Sequence, residues 1–179
     1  MSKTKELIDR ALQHRRESNF DGAGREWAEV IKQAREENDL PTLIRGLNGM
    51  AQIERDQARN AEALTLYDEA VSLCRKHSDR LLLAHTIRHL GDVRRHLGQQ
   101  QNAQACYEEA LGIYRSEPRA KPLDVANTVR PFAILKEAMG DFEGARTFWR
   151  EAQNLYQSLN IDPGVVECSK HLAHLVKSE

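Results

Sequence analysis

The sequence predicts an all-α fold, a right-handed superhelical array of antiparallel helix pairs, on three observations. The first is a spaced pattern that returns four times. A small residue is followed twelve positions later by Ala, then by a large aromatic four further on, then by a small or aliphatic residue three after that. The sets are Ala11, Ala23, Trp27, Val30; Ala51, Ala63, Tyr67, Ala70; Gly91, Ala103, Tyr107, Ala110; and Ala133, Ala145, Trp149, Ala152. They lie 40, 40 and 42 residues apart, and a half-copy, Leu172-Ala173, follows 40 after Phe132-Ala133. Self-similarity at such a period marks stacked helical units, each burying its apolar face against the next. The second observation is helical spacing of apolar residues throughout the sequence, with no sustained alternation at period two. The third is a series of turn signals that cut this pattern into short lengths.

Those signals place nine helices, at about 4–17, 21–37, 41–56, 60–76, 80–97, 100–115, 123–139, 142–158 and 163–177. Within each pair the breaks are Asn19-Phe20-Asp21-Gly22, Leu97-Gly98-Gln99 and Met139-Gly140-Asp141. Glycine ends a helix because it accepts the left-handed backbone conformation. Between pairs stand Asn38 to Pro41, Lys76 to Asp79, Ser116 to Asp124 and Asn160 to Pro163. Pro41 and Pro163 suit the first turn of a helix, each with an Asp or Asn before it to cap. The reading is one domain over 1–179, with repeats at about 4–39, 41–78, 80–118 and 122–160 and a capping helix at 163–177. Small residues on both helices of a pair let the backbones approach, and Trp27, Tyr67, Tyr107 or Trp149 fills the groove beside them. Pro131 falls inside a helix, where it removes a donor and crowds the preceding turn, so a kink or break is expected there.

Composition narrows the function classes. The 179 residues are 40% hydrophobic and 30% charged, with ten Gly and five Pro, as expected of a folded soluble protein and not of a low-complexity one. The N-terminus is charged too early for a signal-peptide core, and no stretch is apolar for long enough to span a membrane. Cys74, Cys106 and Cys168 are odd in number and widely spaced, which suits buried thiols in a cytoplasmic protein rather than a disulfide framework or zinc knuckle. A net charge of −1 gives no reason to expect nucleic acid. There is no Gly-rich phosphate loop, nucleophile elbow or HExxH, so no enzyme activity and no cofactor are expected.

Leu90-Gly91 with Ala103-x3-Tyr107, and Phe132-Ala133 with Ala145-x3-Trp149, resemble the tetratricopeptide repeat family (TPR). The longer unit is similar to that of kinesin light chain, most clearly from Asp124-Val125-Ala126-Asn127-Thr128-Val129 through Gly140-Asp141-Phe142-Glu143-Gly144-Ala145. The resemblance covers essentially the whole sequence. It implies a protein–protein interaction scaffold that binds an extended peptide on the concave surface. Arg130 and Pro131 stand where asparagines usually line that groove.

The first helix of each pair carries a second stripe opposite its packing face, at spacing i, i+3, i+7, i+10. The stripes are Lys5, Ile8, Leu12, Arg15; Arg45, Asn48, Gln52, Arg55; His85, Arg88, Asp92, Arg95; Asn127, Arg130, Ile134, Glu137; and Glu167, Lys170, His174, Lys177. They hold nine Lys or Arg against three Asp or Glu, although the protein as a whole has 26 basic and 27 acidic residues. A basic trough on an acidic body concentrates field and draws anions, and arginine grips carboxylates bidentately. The expected partner is therefore an acidic or C-terminal peptide segment, with Arg45, Asn48, Arg88 and Arg130 near its middle and Ile8, Leu12 and Ile134 seating an apolar side chain. The alternative is a ligand-sensing or nucleic-acid-associated factor that uses the same basic groove for phosphates. His85 and His89, four apart on one helix, have metal-ligand spacing but lack a completing set, so no metal is expected. The histidines would make binding weaken as pH rises. Phe148 and Tyr156 are expected on an apolar patch for weak self-association.

Overall fold

The computed structural model describes residues 3–176, and Lys177 of the last stripe lies outside them. All regular structure among the described residues is α-helical. The protein forms two compact units, Met1–Asp79 and Arg80–Glu179.

The first unit holds α1 (Lys3–Arg16), α2 (Phe20–Glu36), α3 (Leu40–Asp56) and α4 (Asn60–Cys74). Helix α1 packs on α2, α2 on α3 and α3 on α4. The second unit holds α5 (Arg80–His96), α6 (Gln100–Ser116), α7 (Pro122–Ala138), α8 (Phe142–Ser158) and α9 (Asp162–Val176), packed in the same consecutive order. Each helix end falls within two residues of its expected place.

Capping explains why the ends are so legible. The side chains of Asn19, Asp39 and Asp141 accept from the backbone N–H of Gly22, Thr42 and Gly144, at 3.0, 3.2 and 2.9 Å. Each satisfies one of the donors that a helix start leaves open. Gly22, the last residue of the break signal, lies inside α2, as the expected helix from about 21 has it, and is buried. A Cβ there would stand 2.6 Å from the Asn19 side chain, so the glycine makes room for the cap. Gly98 and Gly140 leave their helices with φ of 72° and 76°. Ser18, Asn38, Ala58 and Asn160 do the same work at φ between 54° and 59° despite carrying a Cβ.

All sixteen residues of the four complete pattern sets are buried. Trp27, at 2% exposure, sits in a cluster with Leu7, Ile8, Ala11, Ala23, Val30 and Ile53. Trp149, at 0%, sits with Phe132, Ala133, Ala145, Ala152 and Tyr156. Burying a large side chain of this kind contributes about 1.5–3 kcal/mol. The small residues allow the approach that makes this possible. A Cβ on Gly49 would lie 2.3 Å from the Trp27 ring, and one on Gly91 2.9 Å from the Tyr107 ring. The three cysteines are buried thiols.

Three expectations are corrected. Pro131 is buried and α7 runs through it unbroken. Phe148 stacks on Phe132 with centroids 4.3 Å apart, and Tyr156 is buried with its hydroxyl donating to Asn127 Oδ1 at 3.1 Å. Neither ring is therefore on an exposed patch. Ile8 belongs to the core of the first unit, because the α1 stripe runs close enough to the α1–α2 seam to be covered by it.

Candidate interaction face

In the first unit, α1 and α3 present Lys5 and Arg45 exposed and Arg55 half-buried, while Asn48 is buried. Arg15 is clamped. Its Nε donates to Asp56 Oδ2 at 2.6 Å, Nη2 to Oδ1 at 3.3 Å, and Nη1 to Gln52 Oε1 at 2.7 Å. Gln52 thus positions a guanidinium across the α1–α3 face. Beside this pair lies a depression of about 440 Å³, lined by Leu12, Arg15, Arg16, Ser18, Phe20 and Asp56.

In the second unit, α5 carries a buried polar cluster. Asp92 accepts from the Tyr107 hydroxyl at 2.8 Å and lies 3.6 Å from Arg88 and 3.4 Å from His89. Arg88 Nη2 and His89 Nε2 are 2.7 Å apart. Burial holds the His89 pKa down at about 3, although the bond to Asp92 opposes it. The expected weakening of binding through the histidine range therefore has no contribution from His89, which is already neutral. Burial, reinforced by the Asp92 charge, pushes the Tyr107 phenol far above its ordinary value. His85 stacks edge-on against His89, with centroids 4.7 Å apart. Arg95 is half-buried, with Nη2 3.0 Å from His96 Nε2.

On α7 and α9, Arg130 makes a bidentate pair with Glu167 at 2.7 and 2.6 Å. That bond raises the Arg130 pKa and lowers the Glu167 pKa. Asn127 is held by Tyr156, and Ile134 is half-buried against the core. Glu137 accepts from Trp149 Nε1 and lies 2.9 Å from His171 Nδ1, while the His171 ring stacks on Trp149 with centroids 4.1 Å apart. Next to this cluster an open depression of about 320 Å³ is lined by Glu137, Lys170, His171 and His174. Lys170 and His174 are exposed.

Six of the basic stripe residues fall into two kinds, with Arg55 and Arg95 half-buried between them. Arg15, Arg88 and Arg130 lie in ion pairs with Asp56, Asp92 and Glu167. Lys5, Arg45 and Lys170 project to solvent. Sequence reasoning missed the Glu137–Trp149–His171 cluster. Its signal was present: twelve residues before the ring, the other three repeats carry Arg15, Arg55 and Arg95, and the fourth carries Glu137.

Repeated helical hairpins with aromatic plugs between small residues define a tandem-repeat scaffold, a class of protein that binds other proteins. Residues 42–116 match the sequence profile of the tetratricopeptide repeat family. No curated protein matches its sequence. Among solved structures it is similar to BtubC (BKLC) from P. vanneervenii, at TM-score 0.74 and 14% identity over 97% of this sequence and 80% of that one. It is similar also to the nearly identical TPR-like repeats assigned to a kinesin light chain of Podosopora anserina, at TM-score 0.73 and 14% identity over 99% and 98%. The MamA protein follows at TM-score 0.61 and 17% identity over 97% and 92%. Identities this low speak for the fold. No helix among the described residues is long and apolar enough to cross a membrane.

Proposed function

We propose that this protein is a non-catalytic, cytoplasmic adaptor that holds an acidic or C-terminal peptide segment on the faces that the first helices of its repeats form within each unit. The supporting observation is the division of the basic stripes. Arg15 and Arg130 are ion-paired across helices within the first and the second unit respectively and Arg88 within α5, while Lys5 and Arg45 in the first unit and Lys170 in the second are exposed. Fixed pairs supply shape and exposed cations supply attraction, which steers an anionic segment onto the face.

The test is titration of acidic and basic peptide pools against the protein and an Arg45→Glu, Lys170→Glu variant. Both substitutions fall on exposed side chains and spare the internal pairs. Preference for the acidic pool, lost in the variant, is the expected result; equal binding of both pools overturns the reading. Salt separates it from phosphate recognition. A nucleic acid loses affinity with a slope set by the number of phosphates neutralised, and a peptide held partly by apolar contacts loses less.

A further inference from the structure

Helices α1 and α9 each have one long side that no other described helix of their unit covers, and the two sides are built differently. On α1 it carries Glu6, Asp9 and Gln13, all exposed. Those are the registers of Gly46, Gly49 and Ile53 on α3, which face α2 or join the Trp27 cluster. Polar residues suit the α1 side to water. On α9 the side turned away from α8 carries Val166, Ser169 and Ala173, at spacing i, i+3, i+7, all exposed. Val166 is 52% exposed. Cys168 and Leu175, on the opposite side, are buried in the Trp149 cluster.

Helices α5 and α7 show what such a side receives. The same three registers are Ala84, Ile87 and Gly91 on α5 and Ala126, Val129 and Ala133 on α7, all buried. Helix α6 packs on α5, and α8 on α7. A Cβ on Gly91 would lie 2.9 Å from the Tyr107 ring and 3.1 Å from Cys106 Cβ, both on α6. Each set combines one β-branched residue with two small ones, and so does the set on α9. Ser169 replaces the branched residue of the middle register. Its hydroxyl accepts from Gln153 Nε2 at 2.8 Å and donates to the Val165 carbonyl at 2.9 Å, so covering it strands no polar group.

We infer that this side of α9 docks an amphipathic helix of another polypeptide, one that carries the pattern of α2, α4, α6 and α8: Ala, an aromatic four further on and a small or aliphatic residue three after that. Ala173 admits the partner's backbone, as Gly91 and Ala133 admit α6 and α8. Antiparallel docking, as in the α5–α6 and α7–α8 pairs, sets the partner's first turn towards the end of α9 that carries the exposed Lys170 and His174. An acidic first turn, of the kind that Asp21, Glu62 and Glu143 give α2, α4 and α8, complements that charge. A second copy of this protein does not fit, because its own α2, α4, α6 and α8 are already paired and the side that α1 leaves open is polar.

This inference stands apart from the acidic-peptide reading, which needs neither Val166 nor Ala173. The probe is a fluorescein-labelled peptide of the α8 sequence, Phe142–Ser158, with a lactam bridge on its outer side so that it is helical before it binds. A scrambled peptide of the same composition is the control. Anisotropy is expected to show saturable binding of the α8 peptide, weakened about tenfold or more by Ala173→Arg and by Val166→Glu and tightened by Ser169→Val. All three positions are exposed, and far-UV circular dichroism checks that the variants fold. No binding, equal binding of the scrambled peptide, or indifference to both Ala173→Arg and Val166→Glu overturns the inference. Sedimentation velocity is expected to find a monomer before peptide is added. A dimer that Ala173→Arg dissociates overturns the inference as well, because a second copy would then be the occupant of α9.

Discussion

Trp27 and Trp149 occupy the same slot in their repeats, yet their indole N–H groups meet different fates. Trp149 donates to Glu137, which also takes the His171 contact. Trp27 is as deeply buried, but its Nε1 meets no acceptor among the described residues. The cause is one residue twelve places earlier, Glu137 in the second unit and Arg15 in the first. Arginine has no acceptor, so it turns to Asp56 and Gln52 instead. The repeat decides that a ring fills the slot. A single residue decides whether that ring is tied down.

The sharpest way to break the comparison is steric. Gly49→Ala places a methyl 2.3 Å from the Trp27 ring, with ring atoms rather than the end of a flexible side chain in the way. Helix propensity favours alanine by about 1 kcal/mol, but overpacking costs about 1–3 kcal/mol and rises with the severity of the clash. The first unit should be destabilised by about 2 kcal/mol, read from urea unfolding followed by Trp27 emission in Trp149→Phe protein. Gly91→Ala, at 2.9 Å from Tyr107, should cost less. Equal costs would mean that close approach is not what these glycines provide.

Acid should divide the units next. His89 occupies the register of Gly49, so the second unit has a buried imidazole where the first has none. Its folded pKa of about 3 lies below the unfolded value of about 6.5. Neutral His89 therefore contributes stability that is fully present above about pH 6.5 and is lost as pH falls towards about 3. Unfolding of the second unit, followed by Trp149 emission in Trp27→Phe protein, should shift to lower urea across that window. His89→Leu should flatten the part of the slope that His89 causes. An unchanged slope would place the acid sensitivity elsewhere.

The fold was legible because its determinants are steric and periodic. Small-residue and aromatic positions recur every 40 to 42 residues, and no distant partner is needed to read them. The break expected at Pro131 does not occur, because the cost of one missing donor does not end a helix packed on both neighbours. The face was only half legible. Stripe spacing named both Arg130 and Glu167, but their approach to 2.6 Å depends on how α7 and α9 lie together. Counting charge along a stripe cannot tell an exposed Arg45 from a clamped Arg15, because pairing across 41 residues with Asp56 is tertiary. The Glu137 cluster was open to reading by aligning the repeats for differences rather than likenesses.

The smallest effect is the most direct test of that difference. Trp149→Phe removes a bond to a carboxylate and leaves Glu137 with one donor fewer. Trp27→Phe removes a buried donor that has no acceptor among the described residues. Hydrogen bonds to charged groups contribute about 1.5–3 kcal/mol, and removing an unsatisfied polar group recovers some of its desolvation cost. Both substitutions lose similar ring volume, so the packing terms largely cancel between them. Trp149→Phe should therefore cost about 1–2 kcal/mol more than Trp27→Phe by urea unfolding followed by circular dichroism. Adding Glu137→Gln to Trp149→Phe should cost less than Glu137→Gln alone, because the two groups act as a pair. Additive costs in that cycle would show that Trp149 and Glu137 do not depend on each other.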